Sequence, residues 1–444
     1  MENHKLSGRI WVNLILFGFM GQIAWAVENV YFNTFLFNSV GGSTRDISRM
    51  VALSAVTAVV TTFLMGTLSD RIGKRKPFIC FGYIAWGLTV AVFAWISREN
   101  VAKLFSITSS SGVITATVGV VIVMDCLMTF MGSTGNDAAF NAWITDVTVP
   151  ENRGIAEGAL SVLPILATLI VSVGFGAGVT AVGYPVCFLA LGSIVVICGV
   201  IGLFTVRDSN VKSLKNNAYL KDLVYGFRPQ VVRENKYLYL SLVCVCIFCT
   251  SVQVFMPYLF IYIQHYLKFD FGTLLSAISP KLILIVLLVL VGFIGAILLF
   301  GKLLDRFGKK HFILISTFVF IGGLVLLSFA QSIGKFALLA ALMFCGYGLM
   351  MIILNATVRD FTPEGKVGQF QGVRMIFAVL IPMVLGSYIG AFVTETFAGR
   401  HDLGSYINDY GESVLVPVPE IFAASAIVCF LILVPVLALR KKIR

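Results

Sequence analysis

Carboxylates are scarce in this chain, 22 Asp and Glu among 444 residues, and those inside its long apolar runs are scarcer still. Asp137 is one of them. It precedes Asp146 by nine residues, about 13 Å of helix. With Asp146 at the end of a membrane-crossing helix, Asp137 falls near the bilayer midplane, where an ionisable group is costly and is a functional candidate by default. A carboxyl there can exchange a proton or help hold Na⁺; it can also simply hydrogen-bond a neighbouring helix. Glu28 stands 19 residues beyond Arg9, about 28 Å if helical, and is the second candidate for proton or cation coupling. Beside it Gln22, Trp25, Asn29 and Asn33 recur at helical spacing. An aromatic face and amide donors suit a polyol, although the same residue types also pack and hydrogen-bond between membrane helices. Asn136, Asn141, Gln253, Tyr258, Tyr347 and Asn355 extend this candidate substrate-binding set. Asp125 lies 21 residues before Asp146, about 31 Å away, and is expected in water at the opposite boundary.

Nucleophilic and metal chemistry is poorly supplied. The four histidines are scattered with no pair at ligand spacing, and no His-Asp or Ser-His constellation appears. The cysteines of "CVCIFC" at 244–249 sit inside an apolar run, where small packing residues are the expected role. None of the nine cysteines falls in an outer connection, so no disulfide framework is implied. Neither an enzyme, nor a bound cofactor, nor a metal site is expected.

Positioning these residues requires helices that cross a membrane. The chain is 58% hydrophobic with a mean hydropathy of +0.93, beyond the usual soluble range. Twelve apolar runs recur, at 10–37, 47–66, 78–96, 118–145, 156–182, 184–205, 237–266, 282–303, 312–330, 336–358, 370–394 and 419–439, each near the ~20 residues that cross hydrocarbon. The first is too long for a signal-peptide core and shows no small-residue cleavage site, so it reads as a retained helix. The fold class expected is an all-α membrane protein of 12 transmembrane helices.

The net charge of +11 is a matter of topology rather than of nucleic-acid binding. With both termini in the cytoplasm, 25 of the 33 Lys and Arg lie on the inner side and 8 on the outer, as the positive-inside rule requires. A multi-pass protein of the plasma (inner) membrane follows, with lipid and a small-molecule substrate as partners and a monomer as the working unit. "RKKIR" at 440–444 offers a further contact to anionic lipid.

The chain also repeats itself. "GTLSDRIGKRKPF" from Gly66 returns as "GKLLDRFGKKHF" from Gly301, pairing Asp70 with Asp305, Arg71 with Arg306 and Gly73 with Gly308 at a constant offset of 235. A second pair, from Asn141 and Asn355, matches Asp146 with Asp360 and Gly158 with Gly372 at an offset of 214. A six-helix unit used twice is the simplest reading. It makes 1–206 and 237–444 two pseudo-symmetric bundles, joined by a cytoplasmic linker at 207–236. The difference in offsets places 21 extra residues in the first half, near 98–118 on the outer side.

The repeated Gly-x-x-x-Asp-Arg-x-Gly-Lys loop resembles the signature of the major facilitator superfamily, twelve-helix secondary transporters. An acid at such a helix end can accept from the backbone N–H groups of a neighbouring helix N-terminus. The resemblance implies a cytoplasmic gate built from Gly66, Asp70, Arg71, Gly73, Asp146, Arg153, Gly301, Asp305, Arg306 and Asp360, latched in one state and open in the other. More narrowly, "DAAFNAWITDVTVPENR" and "KRKPF" are similar to the melibiose permease-like glycoside–pentoside–hexuronide:cation symporters, in which the acid matching Asp137 belongs to the cation site. Two further cation-site carboxylates of that group fall at Ala58 and Thr62 here, its sugar-binding Asp at Ile23, and its helix-five Arg near Ser161 or Val162. H⁺ is therefore the expected coupling ion, ahead of Na⁺. A secondary active transporter of a small polar solute, a sugar or glycoside, is the function implied. A lipid-like or otherwise amphipathic cargo is the alternative, and a membrane-embedded enzyme the alternative from another class.

Overall fold

A computed structural model describes residues 6–208, 226–270, 309–363, 367–440 and 442. Helix α1, Gly8–Asn38, starts where the Ser7 hydroxyl accepts from the Ile10 N–H, satisfying one of the donors a helix start leaves open. It contains a π-helical turn at Glu28–Phe32. Helix α2 is Thr44–Ile72, and α3 is Lys76–Trp95 with Pro77 in its first turn, a position where the missing N–H costs nothing. A short α4, Arg98–Phe105, opens on Ser97. Helix α5, Ser110–Val147, carries eight π-helical residues, Ser133–Phe140. Helix α6, Pro150–Ile170, continues through a π turn at Val171–Phe175 into α7, Gly176–Thr205. Gly183, at φ 81°, breaks α7 just ahead of Pro185, at the boundary expected between the runs 156–182 and 184–205.

Further along come α8 (Pro229–Glu234), α9 (Lys236–Tyr266), α10 (Lys309–Leu327), α11 (Ile333–Phe361), α12 (Gly372–Arg400) and α13 (Glu420–Arg440). Between the last two lies a small antiparallel hairpin, β1 (Ser405–Ile407) against β2 (Ser413–Leu415), in the register Tyr406 opposite Val414. Its turn is closed by Asn408, whose Oδ1 accepts from the Tyr410 and Glu412 N–H groups. Among the described residues nine helices are long and apolar enough to cross a membrane, with shorter apolar helices at Gly158–Ile170 and Phe312–Leu327. The expected run at 282–303 lies outside the described residues.

The helices are inside out by the standards of a soluble protein. On α2 the apolar Val56, Val60, Leu64, Leu68 and Ile72 are exposed at helical spacing, while Ser48, Ser54, Thr61 and Ser69 are buried. Lipid accepts the first set, and the second must find hydrogen-bond partners inside the bundle. Ser69 does so with the Gly66 carbonyl and Ser48 with the Arg45 carbonyl. Close packing relies on glycine: a Cβ on Gly87 of α3 would lie 2.5 Å from the Gly192 carbonyl oxygen of α7, so two backbones touch there. All nine cysteines are free thiols.

The chain divides into two compact units, Met1–Gly42 with Leu53–Tyr219, and Ser43–Ala52 with Leu220–Arg444. In the first, α3 packs along α7 and against α5, and α1 lies on α6. In the second, α9 packs on α12 and α13, and α10 on α11. Arg98, one of the eight cations counted on the outer side, is buried in the first unit, where its Nε donates to the Val40 carbonyl at 2.7 Å.

Candidate functional site

Asp125, Thr129, Ser133 and Asp137 follow one another at intervals of four along α5, which puts them on one face of the helix. The stripe is mostly dry: Asp125 and Thr129 are each 1% exposed, Ser133 is fully buried, and Asp137 is half-buried. Ser133 donates to Asp137 Oδ2 at 2.9 Å, and Thr129 donates to Glu28 Oε1 of α1 at 3.0 Å. Ser54 of α2 donates to the same Glu28 oxygen at 2.8 Å and stands 2.7 Å from the Thr129 hydroxyl. Glu28 itself is 8% exposed. Three helices thus converge on one line of oxygens, with Asp137 at its open end and Glu28 and Asp125 at its closed one. Both Glu28 and Asp137 stand in π-helical segments, an irregularity often found at functional sites. The burial of Asp125 corrects its expected place in water: α3 packs against the helix that carries it, and the side chain turns into the bundle. The spacing of four from Asp125 to Asp137 is the sequence signal that exposes the stripe.

The candidate substrate residues divide into two groups. Asn136 is buried, and its Nδ2 donates to the Tyr83 hydroxyl at 2.6 Å, which donates in turn to the Phe17 carbonyl at 2.6 Å. Asn33 is buried and donates to the Asn29 carbonyl; Asn29, exposed, donates to the Trp25 carbonyl. Tyr258 is fully buried and donates to the Ser387 carbonyl at 2.6 Å. The amide nitrogens of Asn33 and Asn136 and the hydroxyl of Tyr258 are therefore engaged inside the protein and these residues are buried, which differs from the substrate-facing placement expected of them. Gln22, Trp25, Gln253, Tyr347 and Asn355 keep partly exposed side chains, and Asn141 is exposed. Trp25 leans on Trp86 with ring centroids 4.9 Å apart, and Tyr347 stacks on Phe248 at 5.6 Å. Asn141 donates to the Asp137 carbonyl and its repeat-mate Asn355 to the Met351 carbonyl, so the aligned positions make the same bond. Asn355 Oδ1 also accepts from Arg374 Nη2 at 2.9 Å.

At the motif end of the first unit the charges are organised around Arg75. This side chain is 5% exposed; it pairs with Asp70 through Nη2, donates from Nε to Asp146 Oδ2 at 3.0 Å, and from Nη1 to Ser69 Oγ at 2.6 Å. Burial works against its charge, but the hydrogen bond to Asp146 and the charge of Asp70 outweigh burial and hold the guanidinium above its ordinary range. The role expected of Asp70, accepting from a helix N-terminus, falls to Asp208, whose Oδ1 takes the N–H groups of Arg75 and Lys76 at 2.7 Å each. A carboxylate at the start of α3 meets the positive end of that helix. Arg9 does the converse at the end of α7, donating to the Thr205 and Phe204 carbonyls at 2.6 and 2.5 Å. Gly73 ends α2 with φ 69°, a left-handed turn that glycine adopts without Cβ strain, and its N–H reaches the Ser69 carbonyl. Gly66 is buried and Arg71 is exposed. Arg75 and Asp208 are residues of this charge cluster that the sequence does not single out.

The second copy of the motif, Gly301, Asp305 and Arg306, lies outside the described residues, as does the side chain of Arg153. Asp360 is exposed at the end of α11. Among the described residues no group of three or more His, Cys, Asp or Glu is placed to hold a metal ion.

A family model described as the Major Facilitator Superfamily matches residues 14–386 and 282–443 of the chain. Over 101 residues the chain is 31% identical to Multidrug resistance protein 3 of Bacillus subtilis (strain 168), covering 22% of this chain and 19% of that protein. Over 284 residues it is 22% identical to Multidrug resistance protein 2 of the same organism, covering 62% and 61%. It thus spans less than two thirds of the length of either curated relative. Among solved structures it is similar in fold to a mutant of the nucleoside transporter NupG, with a TM-score of 0.70, 13% identity and coverage of 96% and 99%. It is also similar to a bacterial homologue of the human lysosomal transporter Spinster, with a TM-score of 0.62, 11% identity and coverage of 98% and 96%.

Proposed function

The chain belongs to the major facilitator superfamily, and on that premise we propose that it is a secondary active transporter of a small polar solute, a sugar or glycoside, driven by H⁺ through Asp137 and Glu28. The coarser statement needs no proposal: it is a multi-pass membrane transporter rather than an enzyme. The observation that carries the finer one is the α5 stripe, with a half-buried Asp137 leading to a buried Glu28. A carrier that couples two fluxes needs a carboxyl that is reachable in one state and enclosed in another. Ala58 and Thr62, where the melibiose permease-like symporters place two further cation-site carboxylates, favour a proton over Na⁺. The same resemblance supports a sugar-like cargo, and Trp25, Gln22 and Asn141 are the partly exposed or exposed groups on hand to recognise one. The strong bias of Lys and Arg toward one side supports a cytoplasmic-membrane protein with both termini inside. Alternating access by a monomer completes the reading.

An amphipathic cargo is the second reading, favoured by the names of the two curated relatives, both multidrug resistance proteins. A thermal-stabilisation screen of the purified transporter separates the two. Sugars, amino acids, lysolipids and cationic aromatic drugs are compared at equal concentration. A rise in melting temperature with a sugar or glycoside is expected. A rise confined to the drugs or lysolipids moves the cargo to the amphipathic class.

A further inference from the structure

The closed end of the α5 stripe holds more oxygens than its hydrogens can serve. Glu28 Oε1 lies 2.8 Å from Ser54 Oγ and 3.0 Å from Thr129 Oγ1, and the two hydroxyls are 2.7 Å apart. All three separations are of hydrogen-bond length. The hydroxyls bring two hydrogens, one each. All three sides hold a hydrogen only when each oxygen donates to the next around the ring, with Glu28 to one hydroxyl, that hydroxyl to the other and the other back to Oε1. This takes a third hydrogen, which the Glu28 carboxyl supplies when protonated. An ionised Glu28 leaves one short O···O contact with no hydrogen in it. It also buries an anionic oxygen, because Oε2 has no hydrogen-bond partner.

Asp125 adds a second carboxyl to the same place. It lies one turn from Thr129 on the same face, is 1% exposed, and keeps its Oδ1 buried and unpartnered. It faces Ser54 and feels the charge of Glu28. Cys126 and Asp137 are the other titratable groups in electrostatic reach of Glu28. Two enclosed carboxyls set about one hydroxyl titrate as a unit, since ionising both is costly.

We propose that Glu28 and Asp125, set about Ser54 with Thr129 beside Glu28, form a two-carboxyl proton-binding site, loaded and unloaded along the α5 face through Ser133 and Asp137. The oxygens stand at hydrogen-bond separations from one another, which points to a proton as the ligand. Asp137 is the gate to this site and Glu28 with Asp125 the store. This rests on the reading of the chain as a proton-driven carrier, but its test needs neither substrate nor transport, so the two can fail separately.

Infrared difference spectroscopy of the full-length protein in lipid, titrated with acid and base in H₂O and D₂O, reads protonated carboxyl stretches directly. The wild type is expected to show, at neutral pH, a deuterium-sensitive band of an enclosed protonated carboxyl. Glu28→Gln and Asp125→Asn should each abolish or shift that band, and Asp137→Asn should keep it while slowing its deuterium exchange at least tenfold. Should the two carboxyl variants misfold, Ser54→Ala and Thr129→Val retain both acids and should still shift the band. Excess NaCl should leave it unchanged. Absence of the band at neutral pH overturns the proposal, as does its persistence unaltered in all four site variants or its removal by Na⁺.

Discussion

Arg75 shows how much one side chain at a helix end can hold. Its guanidinium ties the last turn of α2 to α5 through Asp70 and Asp146, and removing one partner of a buried ion pair strands the others. Arg75→Ala should therefore lower the unfolding free energy by about 3–5 kcal/mol, read as a fall in melting temperature in detergent, with Arg75→Lys recovering only part. Because its charged form is favoured in the folded state, this cation's contribution is complete below the unfolded value and fades only above the raised one. Stability carried by Arg75 should thus stay flat between about pH 6 and 10. Asn136→Ala makes a sharper distinction. If this amide only braces Tyr83, the variant should lose about 1–2 kcal/mol and transport normally per folded molecule. A raised KM at unchanged stability would return Asn136 to the substrate site. The internal repeat hid Arg75: its mate is Lys310, so the aligned acid, arginine and glycines drew attention to Arg71 instead. Asp208 was invisible for another reason, since it sits where an apolar helix gives way to a charged connection and no spacing rule singles it out. Asp125 was misplaced by measuring along the helix axis, which says nothing of which way a side chain turns.

The elements themselves were largely legible. Hydropathy marks the runs, and the two that meet at Gly183 were separated at that residue because a glycine and Pro185 interrupt an otherwise continuous apolar stretch. The π-helical segments at Glu28–Phe32 and Ser133–Phe140 were not legible, because they extend a helix without changing its composition. The hairpin at 405–415 was likewise unexpected, being specified by one Asn-closed turn and three-residue strands. Contact between α3 and α7 makes a prediction of its own. A Cβ on Gly192 would lie 2.5 Å from the Gly87 carbonyl oxygen and 2.8 Å from the Ala91 Cβ, whereas one on Gly119 of α5 meets nothing within 4 Å. Gly192→Ala should then cost about 1–3 kcal/mol in thermal unfolding, and Gly119→Ala should be neutral or slightly stabilising. Equal effects would mean that the helices have room to part.

At the scale of the whole molecule, the family was carried by a motif that recurs in register with the hydropathy, and the cargo was not, because a few partly exposed amides and aromatics fit many solutes. Topology is open to direct measurement. Tags at either terminus should be inaccessible to protease or thiol reagents in sealed cells and become accessible once the membrane is permeabilised; a tag labelled from outside would reverse the assignment. The coupling claim lies deeper, and one experiment meets it head on. With the solute found by stabilisation screening, proteoliposomes carrying an imposed proton gradient are compared with and without Asp137→Asn. The wild type should concentrate solute against its gradient, while the variant should still equilibrate solute but no longer concentrate it. Accumulation by Asp137→Asn equal to wild type would contradict the account.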